Sequence, residues 1–211
     1  MRASGSGSIP ERVSISSGPS KAAVQPPFLH LAIAGEAGLL LLAWALARWL
    51  EVTPAPYLHL DIGSVAWGFA ATAPLLLVLW WMLTSRATPI RSLVDLVTEQ
   101  AGPLLARCTV LELGTLAAIA GISEEVLFRG VLQPGLTAWM GQGGALVVAS
   151  GIFGLVHAAS RVYALFAALM GLYLGVLFLL QNSLIPPIVA HGLYDFVALG
   201  AVATRYRRGQ R

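Results

Sequence analysis

Residues 162–180 read VYALFAALMGLYLGVLFLL, an apolar run without a single charged side chain. A hydrocarbon core about 30 Å thick is crossed by roughly 20 helical residues, so this stretch predicts a membrane-spanning helix. Outward from it, Gly143 to Ala158 predicts the helix before, and Ile185 to Ala203 the helix after, with Pro186 and Pro187 suited to a first turn. Leu104 to Ala138 predicts one long bent helix, or two short ones joined near Gly121. Two further spans are expected at Phe28 to Leu50 and Ile62 to Leu83. Between these and the apolar back half, residues 90–101 (IRSLVDLVTEQA) set Ile90, Leu93, Val94 and Val97 against Arg91, Asp95 and Glu99. That spacing predicts an amphipathic helix lying at the membrane surface.

The composition agrees. Hydrophobic residues make up 57% of the 211 and charged ones 11%, and the mean hydropathy is +0.76; soluble domains carry about 25% charge. A soluble globule, a disordered chain and a fibrous repeat are excluded together, which leaves an all-α, polytopic integral membrane helical bundle. Residues 1–27, rich in Gly, Ser and Pro, read as a disordered tail. Residues 28–103 hold two transmembrane helices and the amphipathic helix, residues 104–204 a polar-bearing core, and residues 205–211 a basic tail. If 104–138 crosses once, Arg86, Arg91, Arg161, Arg205, Arg207, Arg208 and Arg211 all fall on one face. The positive-inside rule makes that face cytoplasmic, and about six crossings follow. Arginine outnumbers lysine, of which Lys21 is the only one, a coding bias that points to a bacterial plasma membrane.

The net charge of +3 is scattered and forms no basic stripe with interleaved aromatics, so no nucleic-acid partner is expected. The single cysteine, Cys108, rules out an intrachain disulfide and reads as a small buried side chain. Gly171 and Gly175 form a GxxxG pair that lets a neighbouring helix approach, within the chain or in a dimer.

Chemistry is legible in the ionisable groups that sit in apolar helices: Glu124, Glu125, Arg129, His157, His191 and Asp195. Each is costly in lipid, about 2.5–3.5 kcal/mol for the charged ones, so they must face one another or a wet cavity. Glu125 and Arg129 are four apart and share a helix face. Glu124 points about 100° away from Glu125, which leaves one carboxylate neutralised and the other available. Phe153 with His157, and His191 with Asp195, repeat the same spacing on two other helices. Glu36 and Glu112 also lie in apolar runs and read as interhelical hydrogen bonders.

The runs Glu124-Glu125-x-x-x-Arg129, Phe153-x-x-x-His157 and His191-x-x-x-Asp195 resemble the three motifs of the CAAX protease and bacteriocin-processing family, which includes the type II CAAX prenyl proteases. The resemblance spans roughly residues 104–204. It implies a glutamate-dependent intramembrane endopeptidase acting on a peptide or protein substrate at the bilayer. Glu124 and His157 would activate water, His191 with residue 195 would stabilise the oxyanion, and Glu125, Arg129 and Phe153 would support the site. Many members carry Asn where this chain has Asp195, and an amide supplies a donor that a carboxylate lacks. Asp195 is then protonated, or orients His191, or joins Glu124, His157 and His191 around a divalent metal such as zinc. Catalysis without a cofactor is the expectation, with metal-dependent hydrolysis by the same residues as its alternative. A non-catalytic membrane scaffold or immunity protein, or a proton-coupled carrier, would use the same polar cluster differently.

Overall fold

The computed structural model describes residues 26–211, so the tail expected over 1–27 lies outside the described residues but for its last two positions. Those open α1 (Pro26–Trp49), which is followed by α2 (Ile62–Thr84), α3 (Thr88–Leu105), α4 (Val110–Glu125), a π-helical segment (Val126–Leu132), α5 (Gln133–Val156), α6 (Arg161–Gln181) and α7 (Ile185–Gly209). Among the described residues there is no strand. Five helical stretches among the described residues are long and apolar enough to cross a bilayer, and the protein is a multi-pass helical membrane bundle.

The third of these stretches, Val110–Val156, is two crossings rather than one. At Gly141 the backbone leaves the helical region (φ 68°, ψ 171°), a conformation open to glycine and strained for other residues. Arg129 and Ser150 would stand about 31 Å apart on a straight helix. Yet both meet Gly171, whose Cβ position is 3.4 Å from Arg129 Nη2 and 3.3 Å from Ser150 Cα. The chain therefore reverses at Gly141, between the two expected helices 104–138 and 143–158, and the described residues form six spanning arms.

The first of those arms starts later than expected. Leu104 and Leu105 end α3, and a new helix opens at Thr109, whose side chain accepts from the Glu112 N–H while Glu112 accepts from the Thr109 N–H. This reciprocal capping box corrects the reading of Glu112 as an interhelical hydrogen bonder and of Gly121 as a joint: helix runs unbroken through Gly121. Glu36, by contrast, does bond between helices, accepting from the Ser123 hydroxyl of α4.

Helix α3 turns its apolar face onto protein. Leu93 and Val94 are buried with Met82 of α2 and are packed by Val162, Tyr163 and Phe166 of α6. At its far end Gly102 lies under the Tyr206 ring, Arg207 donates to the Ala106 carbonyl at 2.7 Å, and Arg205 meets Asp95 at 2.9 Å. These contacts gather the end of α2, all of α3, the start of α6 and the end of α7 at one pole of the bundle. Arg86, Arg91, Arg161, Arg205, Arg207 and Arg208 share that pole. Cys108 is buried there against Leu105, Leu113 and Ala203.

The GxxxG pair packs within the chain. Gly171 and Gly175 face the π segment and α5: the Gly171 carbonyl accepts from Arg129 Nη2 at 2.9 Å, and the Gly175 carbonyl from Gln133 Nε2 at 3.3 Å. The four-residue spacing of donors on one helix matches that of acceptors on the other. Trp44, Trp67, Trp80, Trp81 and Trp139 are exposed on the outside of the bundle, where interfacial and lipid-facing aromatics belong.

Candidate active site

The polar residues meet because backbones approach where side chains are missing. At Gly121 of α4, a Cβ would lie 2.9 Å from the Gly192 nitrogen and 3.0 Å from its Cα. That glycine–glycine crossing brings Glu124 and Glu125, one turn later on α4, against His191 on α7. Directly after Glu125 the helix widens into its π segment, closed by the Gln133 N–H donating to the Phe128 carbonyl five residues back. Such wide turns recur at functional sites.

Arg129 is buried, with 2% of its side chain exposed, and Glu125 is wholly buried. Arg129 Nη1 donates to Glu125 Oε1 at 2.7 Å, and its guanidinium lies over the Phe153 ring, 4.8 Å from the centroid. Phe153 also stacks on His157, with centroids 4.5 Å apart. Phe153 thus touches both a cation and an imidazole.

Both imidazoles are fixed through Nδ1. His157 Nδ1–H donates to the Phe153 carbonyl at 2.8 Å; the carbonyl can only accept, so the proton sits on nitrogen. His191 Nδ1–H donates to Glu125 Oε1 at 2.7 Å, the oxygen that also receives Arg129. In the neutral imidazole this tautomer leaves Nε2 as the acceptor. The two Nε2 atoms converge on Glu124 Oε2, at 3.5 Å from His157 and 4.0 Å from His191. Glu124 Oε2 is buried and makes no hydrogen bond among the described residues. Asp195 Oδ2 lies 3.5 Å from His191 Nε2, so Glu125, and not Asp195, is the residue that orients His191.

All seven sequence-chosen residues therefore come together on α4, the π segment, the end of α5 and α7. Glu124, Phe153, His157, His191 and Asp195 also line a cavity of about 280 Å³ whose remaining wall is mostly apolar side chains of α2, α3, α6 and α7. Glu124 and His157 line a second cavity of about 400 Å³ on their other side, bounded by Leu42 and Leu46 of α1. A buried carboxylate oxygen without a partner, facing two imidazole nitrogens at slightly more than hydrogen-bond range, has the polar surroundings that hold a water. The donors also suit a divalent metal in kind, but among the described residues no group of three or more His, Cys, Asp or Glu side chains is arranged to hold one.

Two contributors were not singled out from the sequence. Ser123, fully buried beside Glu124, ties α4 to Glu36 of α1; a serine preceding two glutamates gave no signal by itself. Tyr163 lines the first of these cavities from the first turn of α6, its ring edge-on to His157 with centroids 6.4 Å apart. Beside Arg161 at a helix start, it looks like an interfacial anchor.

A multi-pass helical bundle that sets Glu124, His157, His191 and Asp195 on the wall of an apolar cavity, with Glu125 and Arg129 buried behind them, belongs to the class of polytopic membrane proteins with a buried polar centre. Residues 106–197 match the Rce1-like family, described as type II CAAX prenyl endopeptidase, a range that runs from the turn after α3 to the middle of α7 and takes in all three motifs. The resemblance carried by those motifs therefore holds, and it is the segment 106–197 that is similar to this family. No curated protein and no solved structure matches the chain.

Proposed function

We propose that this protein is an intramembrane endopeptidase that hydrolyses a peptide bond with a water held between Glu124, His157 and His191. The observation that carries this reading is the unpartnered Glu124 Oε2, buried and faced by both Nε2 atoms at 3.5 and 4.0 Å. A water there gives a proton to Glu124 as its oxygen attacks the scissile carbonyl, and the proton then passes to the leaving amine with His157 as partner. A positioned base of this kind contributes about 10²–10⁴-fold. Glu125 and Arg129 keep His191 in one tautomer and one orientation. The apolar wall suits a substrate segment with hydrophobic side chains, and the name of the matched family makes a prenylated peptide one class to test. The arginine-rich pole faces the cytoplasm of a bacterial plasma membrane on this reading.

Purified protein is incubated with prenylated and unprenylated reporter peptides, with and without a strong chelator, and cleavage is read by mass spectrometry. The reading expects cleavage that survives metal removal and vanishes in Glu124→Gln. Activity lost to the chelator and restored by Zn²⁺ would replace it with a metal-dependent hydrolase on the same residues. A folded protein that cuts nothing would leave the polar cluster as a scaffold's interhelical lock.

A further inference from the structure

Attack on the carbonyl puts negative charge on its oxygen, and that oxygen needs a donor. Few groups in the cavity can supply one. Arg129 is 2% exposed and occupied by Glu125 and the Gly171 carbonyl. The His191 Nδ1–H is committed to Glu125, and its Nε2 looks toward Glu124 and Asp195. An ionised Asp195 accepts only. Among the described residues, the neutral O–H donors on the cavity wall are Tyr163 and Tyr194.

Of the two phenols, Tyr163 stands at the chemistry. Its backbone is pinned by the Ser160 hydroxyl, which accepts the Tyr163 N–H at 3.1 Å and so caps α6 directly after the His157 turn. Its ring meets the His157 imidazole edge-on. Tyr194, by contrast, sets its ring beside Phe166, with centroids 6.2 Å apart. The Tyr173 hydroxyl donates outside the cavity, to the Ala71 carbonyl at 2.8 Å.

We propose that Tyr163 is a further catalytic residue, donating a hydrogen bond to the carbonyl oxygen as it becomes an oxyanion on the side of the cavity shared with His157. The assignment rests on the hydrolase reading above. No proton leaves the phenol: water's oxygen forms the new C–O bond, the carbonyl π electrons move onto oxygen, and the Tyr163 O–H steadies that oxygen until the C–N bond breaks. The phenol thereby supplies the donor that the carboxylate of Asp195 lacks.

Tyr163→Phe keeps the ring and removes only the donor. Steady-state cleavage of a reporter peptide by wild type, Tyr163→Phe and Glu124→Gln tests the assignment, together with binding of a phosphonamidate peptide that mimics the tetrahedral intermediate. Tyr163→Phe should lower kcat by about 10²–10³-fold with KM unchanged, and weaken phosphonamidate binding by a similar factor while its thermal transition stays in place. Full kcat in Tyr163→Phe beside an inactive Glu124→Gln would overturn this assignment and leave the hydrolase reading standing; so would a loss confined to KM. Wild type no more active than Glu124→Gln would overturn both.

Discussion

Replacing Arg129 with Met tests whether the charge pair beneath the site holds the bundle together. The guanidinium and the Glu125 carboxylate are 2.7 Å apart, with 2% and 0% of their side chains exposed, so neither can turn to water when the other is removed. Breaking a buried pair from one side strands an uncompensated charge and costs about 3–5 kcal/mol. Arg129 also donates to the Gly171 carbonyl, a bond to a charged donor worth about 1.5–3 kcal/mol in general and not additive with the first. The methionine fills most of the vacated space, so the expected loss is about 3–5 kcal/mol, roughly two to three and a half decades in the folding constant. Removing the stranded charge as well should recover most of it, because a buried pair replaced on both sides is often neutral. Reversible unfolding of the detergent-solubilised protein, followed by circular dichroism in wild type, Arg129→Met, Glu125→Gln and the double variant, measures both quantities. A single-variant loss below about 1 kcal/mol, or a double variant no better than Arg129→Met, would refute the reasoning.

Two other regions give sharp expectations. Gly121→Ala puts a methyl 2.9 Å from the Gly192 nitrogen, which is backbone and cannot swing aside. Overpacking of this kind costs about 1–3 kcal/mol, and parting α4 from α7 draws His191 away from Glu124, so cleavage should fall by up to about 10²-fold. Gly200→Ala, which meets nothing within 4 Å, should leave both stability and rate as they were. At the start of α2, hydrogen bonds from the Ser64 side chain and backbone hold the Asp61 carboxyl below its usual range. A pKa lowered on folding adds stability above the unfolded value and loses it as pH falls through the folded value. The first-turn amides of α2 should therefore exchange hydrogen faster at pH 3 than at pH 6 after correction for intrinsic rates, and Asp61→Asn should flatten the difference.

The spans were legible because lipid demands long uninterrupted apolar helices, a signal as plain in residues 162–180 as any in sequence. The polar cluster was legible for the converse reason: Glu124, His157 and His191 would be intolerable in those helices unless they met. What escaped reading depends on relations between helices or on local geometry. Gly121 and Gly192 lie on different helices, so no one-helix GxxxG pattern records their crossing. The π segment after Glu125 depends on a carbonyl–amide shift of one residue that no side chain announces. Tyr163 counts as apolar in any hydropathy sum, and its hydroxyl matters only because α6 begins one turn beyond His157. Glu112 is readable: Thr109-x-x-Glu112 ahead of an apolar run is a helix-start signature, masked by Leu104 and Leu105, which extend the apolar pattern upstream of it.

The most direct test of the water proposed at Glu124 follows its oxygen. Wild type and Glu124→Gln are given a reporter peptide in water enriched in oxygen-18, and the products are weighed in a single turnover. The account predicts one heavy oxygen in each newly formed carboxylate from wild type and no product from Glu124→Gln. Product made by Glu124→Gln at the wild-type rate, or made by wild type without the label, would contradict it.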